Sequence, residues 1–192
     1  MLRRRTTRVC GSCSRSRALG AMSGPVGSPQ HLTSDHDVSA FDCAVPELND
    51  WLKRRALQNE GSRASRTFVV TSDGRVVGYY ALATGAIAHA ATTGRVRRNM
   101  PEPIPVMVLV RLAVDRAHQG TGLGSALLRD ALLRTLAVAE AVGIRAILLH
   151  AISEEARRFY LHHGFAESPA DPMMITLADA EKAMGISRDQ DQ

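Results

Sequence analysis

Val106-Met-Val-Leu-Val-Arg-Leu-Ala-Val114-Asp-Arg-Ala-His-Gln119-Gly120-Thr-Gly122-Leu-Gly124-Ser125-Ala-Leu-Leu128 carries the densest signal in the chain. Its first part is apolar apart from Arg111, the pattern of a buried strand. After the glycines, Leu128, Leu132, Leu136 and Ala139 keep helical spacing. That spacing predicts a long amphipathic helix over 123–141, with Arg129, Asp130 and Arg134 facing out. Glycines between a strand and a helix let a ligand approach the backbone closely. The unpaired N–H groups of the first helical turn, with the helix dipole behind them, then form a ready anion site. A diphosphate is a natural occupant. The dinucleotide fingerprint needs another spacing, and a Walker loop needs Gly-Lys-Ser/Thr; neither is present.

Outward from this stretch the elements alternate. Pro46-Glu-Leu-Asn-Asp-Trp-Leu opens a helix with proline in its first turn, predicted to reach Gln58. Thr67–Thr71 and Val76–Ala83 flank Ser72-Asp-Gly74 and read as a hairpin. Residues 85–104 read as a loop with a short helix, ending in a proline cluster. Downstream, 146–151 is a buried strand, 154–163 a short helix stopped by Gly164, and 173–177 a last strand. The order implies an α/β (α+β) fold, a central mixed β-sheet flanked by helices. The expected organisation is a basic disordered tail and linker over 1–29, one domain over 30–180, and a polar tail over 181–192.

The net charge of +5 divides unevenly: residues 1–22 hold six arginines and no acid, leaving −1 for the rest. Met1–Ala21 lacks an apolar stretch long enough for a secretory signal; it reads as a transit peptide, a basic arm or sequence preceding a true start at Met22, the last two being favoured. One local excess remains, 11 basic against 7 acidic side chains over 41–120. Arginine there offers a planar donor fork suited to phosphate, although high-GC codon usage yields the same bias. Three cysteines, two of them in the tail, imply no disulfide framework, and Cys10-Gly-Ser-Cys13 lacks the second pair that a structural zinc site needs. A reducing compartment and no metal are expected. No apolar run is long enough to span a bilayer.

Gln119-x-x-Gly122-x-Gly124 resembles the acyl-CoA diphosphate loop of the GNAT N-acetyltransferase superfamily. The order strand, loop, long helix, strand, and short helix with Phe159-Tyr160 then Gly164-Phe165 agrees with it over Phe41–Leu177. Two segments are similar to a narrower group, the GNAT toxins of bacterial toxin–antitoxin modules. These are Phe41-Asp-Cys-Ala-Val-Pro-Glu-Leu-Asn-Asp-Trp-Leu-Lys-Arg-Arg-Ala56, and Arg111-Leu-Ala-Val-Asp115 with Phe159-Tyr-Leu-His-His-Gly-Phe165. The resemblance implies a V-shaped split in the sheet that takes acetyl-CoA as cosubstrate. Backbone at Leu112, Ala113 and Val114 would pair with the pantetheine arm. Gln119, Gly120, Thr121, Gly122, Leu123, Gly124 and Ser125 would hold the diphosphate, with Ser153 also at the coenzyme. Tyr160 falls where family members protonate the departing thiolate, a task suited to a phenol that keeps its proton at neutral pH. Tyr160 also fits a plain core aromatic beside Ala156 and Phe159. The implied acceptor is the α-amino group of aminoacyl-tRNA, whose acetylation blocks translation. The implied partners are a ribbon–helix–helix antitoxin and a second copy of the chain, in a bacterial cytoplasm with no membrane.

An absence bears on the acceptor. A lysine amine is almost wholly protonated at neutral pH and needs a base, whereas an α-amine is partly neutral already. The Val106–Val114 strand carries no carboxylate, and Asp115 comes too late to face a thioester, so an α-amine on an ester is favoured. A tRNA substrate needs cations, for which Lys53, Arg54, Arg55, Arg63, Arg66, Arg95, Arg97 and Arg98 are candidates along one side of the cleft. Arg111 is expected nearer the acceptor end. Taken singly, each also reads as solvated surface. His118 is expected as a partly exposed turn residue, His162 and His163 as dipole-compensating residues, Cys43 and Trp51 as packing, and His89 as a loop residue able to face substrate. Rival readings are a small-molecule or protein N-acetyltransferase, and a non-catalytic acyl-CoA-binding co-repressor.

Overall fold

In chain order the elements are β1 (Gln30–His31), α1 (Pro46–Arg54), α2 (Ala56–Ser62), β2 (Arg66–Ser72), β3 (Arg75–Ile87), α3 (Gly94–Arg97), β4 (Ile104–Val114), α4 (Leu123–Ala139), β5 (Ala146–Leu149), α5 (Glu154–His162), β6 (Ala166–Glu167), β7 (Met173–Thr176) and α6 (Leu177–Ala183). Single 3-10 turns lie at His89–Ala91 and Arg116–His118. The computed structural model describes residues 24–168 and 172–186. The expected arm Met1–Ala21, with Cys10 and Cys13, and the tail beyond 186 lie outside them.

The seven strands form one mixed sheet in the order β1-β2-β3-β4-β5-β7-β6, in which β4 and β5 are the parallel pair. Asp73 and Gly74, both at positive φ (49° and 76°), make the tight β2–β3 turn that the sequence announces. β3 and β4 pair from Gly78↔Val114 to Ile87↔Ile104, with one irregularity: Ala81 faces Arg111 while Leu82 faces Leu109. Val110 is therefore an extra residue, a bulge that bends β4. β4 meets β5 through Val106, Met107 and Val108 alone, and from Leu109 onward it runs on without β5. The sheet forks there.

Period-2 alternation sends Phe68, Tyr80, Leu82, Leu109, Ile147 and Ile175 to one face, against Leu127, Leu128, Ala131 and Leu132 of α4 and Tyr160 of α5. The other face carries Val69, Tyr79 and Ala113 under Leu48, Leu52 and Ala56 of α1 and α2. A third cluster joins Val96 of α3 to Ile104, Val106, Ala146 and Met174 at the far end of β4. Trp51 stacks on Tyr79 (centroids 5.7 Å apart), and Cys43 is buried in the same cluster.

Several expectations shift. The helix read over 46–58 is two, broken at Arg55 (φ −116°), which lets Leu48, Leu52 and Ala56 follow the twisted sheet. β3 runs four residues past its expected end, into the stretch read as loop. The chain continues from β7 directly into α6, a helix the sequence reading did not give. Asp130 and Arg134 do not simply face solvent: Asp130 accepts from the Tyr80 hydroxyl and pairs with Arg134 at 2.8 Å, and the Arg134 guanidinium lies 4.1 Å from the Phe68 ring centroid.

Candidate active site

The open edge of β4 is one wall of a cavity of about 380 Å³. Leu112, Ala113 and Val114 line it from the strand, Gln119 and Gly124 from the glycine loop, and Ile152, Ser153, Glu155, Ala156 and Phe159 from the start of α5. Cys43, Ala44, Val45 and Leu48 close it from the side of α1. Of the residues assigned to a coenzyme from sequence, Leu112, Ala113, Val114, Gln119, Gly124 and Ser153 are thus brought around one space. Gly120, Thr121, Gly122, Leu123 and Ser125 lie on the adjoining loop and first turn of α4 rather than in the lining.

Gly120 (φ 74°) and Gly122 (φ 87°) hold left-handed backbone that a Cβ would strain, and Gly122 is the N-cap of α4. Among the described residues no side chain caps this helix, and its first turn carries no acid. By contrast Ser153 caps α5, Thr176 caps α6, and Asp115 caps the Arg116–His118 turn. The free N–H groups of a 17-residue helix are left facing the loop.

The wall opposite β4 is tied to the loop. Asp115 Oδ2 accepts from the Asp42 N–H (2.9 Å), the Arg116 N–H donates to Asp42 O (2.9 Å), and the Gln119 amide donates to Cys43 O (3.3 Å) and Val114 O (3.0 Å). The Gln119 side chain therefore spends its donors on protein carbonyls. Ala44, at φ 71°, is held by its N–H bond to Asp42 Oδ1. These bonds to Asp42 hold its carboxyl below the usual range, the Ala44 N–H first, then Asn49 and Arg116. Asp115 is likewise committed to structure and does not face the fork.

Tyr160 is 7% exposed, between Phe159 (5.2 Å) and Phe165 (5.6 Å), both edge-on. Its hydroxyl has no hydrogen-bond partner among the described residues, yet it is not one of their sealed polar atoms. Burial pushes the phenol up to about 12, so it remains a proton donor. Burial also raises the Cys43 thiol, which stays protonated. β4 presents no carboxylate, and Arg111 projects beside Trp51, its guanidinium 5.8 Å from the ring centroid and donating to Val110 O at 2.7 Å.

The other cations do not share one side of the cleft. Lys53, Arg54 and Arg55 are exposed at the end of α1, with Arg54 paired to Asp50 (3.6 Å). Arg63 and Arg66 follow α2, and Arg66 pairs with Glu60 (2.9 Å). Arg95 and Arg98 line a separate cavity of about 620 Å³ at the β4 N-terminus, where Arg95 pairs with Asp179 (3.4 Å). Seven residues of β4, one of them the bulged Val110, separate Ile104 from Leu112, so this group stands at the opposite end of the strand, roughly 20–25 Å from the coenzyme edge. Arg97 is exposed beside it. His89 turns its Nε2 to the Met100 and Pro101 carbonyls (3.1 Å each). His118, expected to be partly exposed, is 9% exposed, and both ring nitrogens are buried without a partner among the described residues. Sequence reasoning missed the Asp42–Asp115 stitching and the contact of His163 Nε2 with Ser125 Oγ (3.0 Å), since both join residues far apart in the chain. Among the described residues, no three His, Cys, Asp or Glu side chains gather as a metal site, and no helix is long and apolar enough to cross a membrane.

The unpaired β4 edge suits an extended arm with two amides, and the uncapped helix suits a diphosphate: together these are the features of an acyl-CoA-dependent N-acetyltransferase. The acetyltransferase (GNAT) domain family matches residues 63–167, and the chain belongs to that family. Among curated proteins it is 52% identical over 166 residues to the tRNA-acetylating toxin of Mycobacterium tuberculosis, covering 85% of this chain and 99% of that protein. Among solved structures it resembles AtaT complexed with acetyl-methionyl-tRNAfMet (TM-score 0.76, 26% identity, 83% of this chain and 99% of the other). It also resembles a tyrosine-to-phenylalanine variant of AtaT bound to acetyl-CoA and the C-terminus of the antitoxin AtaR (TM-score 0.73, 25% identity, 84% and 99%).

Proposed function

We propose that this chain is an acetyltransferase toxin that moves the acetyl group of acetyl-CoA to the α-amino group of an aminoacyl-tRNA and so blocks translation. The observation that carries the reading is the fork: a bulged β4 whose Leu112–Val114 edge lies open beside an uncapped, glycine-led helix. The relative named as a tRNA-acetylating toxin, at 52% identity, supports the substrate class.

Acetyl-CoA, when bound, supplies an activated thioester. Backbone at Leu112, Ala113 and Val114 pairs with the pantetheine amides, and an N–H of the same edge faces the carbonyl oxygen where negative charge develops. The amides of Gly120 to Ser125 hold the diphosphate, and Ser153 borders the arm. The acceptor amine approaches from the face of Arg111 and Trp51. Its nitrogen attacks the acetyl carbon, the C–S bond breaks, and Tyr160 gives its proton to the departing sulfur. The amine proton passes to solvent, which restores Tyr160. No base is required on β4, because an ester-bound α-amine is partly neutral at physiological pH. Lys53, Arg54, Arg55, Arg95, Arg97, Arg98 and Arg111 contact RNA phosphates, the far group reaching the stem beyond the 3′ end. A small cationic amine would instead call for carboxylates beside Arg111, and β4 offers none.

The remaining parts of the reading are a folded domain that starts near Gln30, a ribbon–helix–helix antitoxin as partner, a homodimer, and action in the bacterial cytoplasm. The test is a translation extract given the protein with and without acetyl-CoA. Arrest that requires acetyl-CoA and is relieved by fresh aminoacyl-tRNA supports the reading; arrest independent of acetyl-CoA overturns it.

A further inference from the structure

His163 closes α5 with its ring held at both nitrogens: Nδ1 lies 2.8 Å from Phe159 O and Nε2 lies 3.0 Å from Ser125 Oγ. Ser125 is the third residue of α4, in the turn whose N–H groups face the coenzyme loop. Phe159, one of the two partners, and Gly124, the chain neighbour of the other, both line the cavity. A carbonyl oxygen only accepts, so Nδ1 carries the hydrogen. In the neutral ring Nε2 is therefore an acceptor. Ser125 then spends its single proton on the imidazole and turns lone pairs toward the space before the helix, the wrong polarity for an anion. In the imidazolium both nitrogens donate; Nε2–H bonds to Ser125 Oγ, and the hydroxyl proton is released.

We propose that His163 is a positioning residue for the coenzyme: a proton on its ring turns the Ser125 hydroxyl from a donor to imidazole into a donor to a diphosphate oxygen. The proposal rests on the acetyl-CoA reading above. It makes coenzyme binding and proton uptake mutually reinforcing, because each stabilises the same hydroxyl orientation. Among the described residues, His162 on α5 lies edge-on to the ring at 5.3 Å, and the Phe159 ring packs on it at 4.4 Å. The first turn of α4 brings no acid to it, and His163 makes no ion pair among the described residues.

Calorimetric titration of the folded protein with acetyl-CoA between about pH 6 and about pH 8.5, in buffers of different ionisation enthalpy, tests this. Wild-type affinity tightens about tenfold toward the acid end, with proton uptake on binding. The ligand's own phosphates titrate identically for every variant, so the comparison is between slopes. His163→Gln places a permanent amide donor on Ser125; it retains near-wild-type acid-end affinity and loses the extra slope. Ser125→Ala binds weakly with the same flat profile, and His162→Gln keeps the wild-type slope. A role confined to packing moves melting temperature and leaves the slopes equal. Equal slopes and equal proton uptake in wild type and His163→Gln overturn the proposal. No binding by folded wild type at any pH overturns the acetyl-CoA reading itself.

Discussion

Replacing Tyr160 by phenylalanine removes one oxygen and leaves the ring between Phe159 and Phe165. The lost hydroxyl has no hydrogen bond to forfeit among the described residues, so the change in stability is expected within ~0.5 kcal/mol. For a domain of this size that moves the melting temperature by about 2 °C at most. The transfer step, by contrast, loses its proton donor, worth about 10²-fold or more in kcat. Since burial holds the phenol up to about 12, wild type shows no alkaline loss from this group at any pH where an aminoacyl ester survives, and the deficit of the variant is constant across that range. Steady-state kinetics with acetyl-CoA and charged tRNA, beside thermal denaturation, reads both quantities. A folded variant with kcat within threefold of wild type refutes the acid role. A fall of many degrees in melting temperature refutes the claim that the hydroxyl is structurally idle.

Gly122→Ala forces an alanine to φ 87° with open space around its Cβ, so its cost is backbone strain of about 1–2 kcal/mol with weaker acetyl-CoA binding; Gly61→Ala, on exposed helix, is expected to stabilise by about 0.5 kcal/mol, and denaturant melts of the two distinguish them. All three tyrosines are buried with raised phenols, Tyr160 to about 12 and Tyr79 and Tyr80 further up. Unfolded phenols ionise near pH 10 while folded ones keep their protons, so stability is intact below that pH and falls above it by up to about 1.4 kcal/mol per pH unit for each tyrosine. Absorbance titration showing a phenolate near pH 10 in folded protein contradicts this. Arg97→Ala and Arg98→Ala each lower the salt slope of tRNA binding by about one while leaving acetyl-CoA affinity unchanged; an unaltered slope removes these residues from the RNA path.

What the sequence made legible is the local part of the fold. The apolar strand, the glycine turn and the leucine spacing of α4 are each encoded within about 20 residues, and so is the Asp73-Gly74 hairpin. β1 and β6 are two-residue edge strands, defined by their neighbours rather than by any pattern of their own. β3 continues to Ile87, beyond the expected end at Ala83; a Cβ at Gly85 would lie 2.9 Å from Val108, so this glycine serves close packing within the sheet. α6 was not read from the sequence, which ends its last strand at 177; the structure starts the helix there, with Thr176 Oγ1 accepting from the Asp179 N–H at 3.1 Å. The bulge at Val110 left no trace, because register is a property of two strands. The site was legible as a list of backbone positions around a loop. The Asp42–Asp115 bond, the Tyr80–Asp130–Arg134 cluster and the His163–Ser125 pair depend on tertiary approach, and the polar residues among them carry sequence patterns indistinguishable from solvated surface.

The most direct test of the central claim is mass spectrometry of the 3′-terminal nucleoside released from charged tRNA after incubation with the protein and acetyl-CoA. The account predicts an added acetyl group on the α-nitrogen of the aminoacyl-adenosine, and none on uncharged tRNA. Unmodified aminoacyl-adenosine in the presence of folded, acetyl-CoA-bound protein contradicts it.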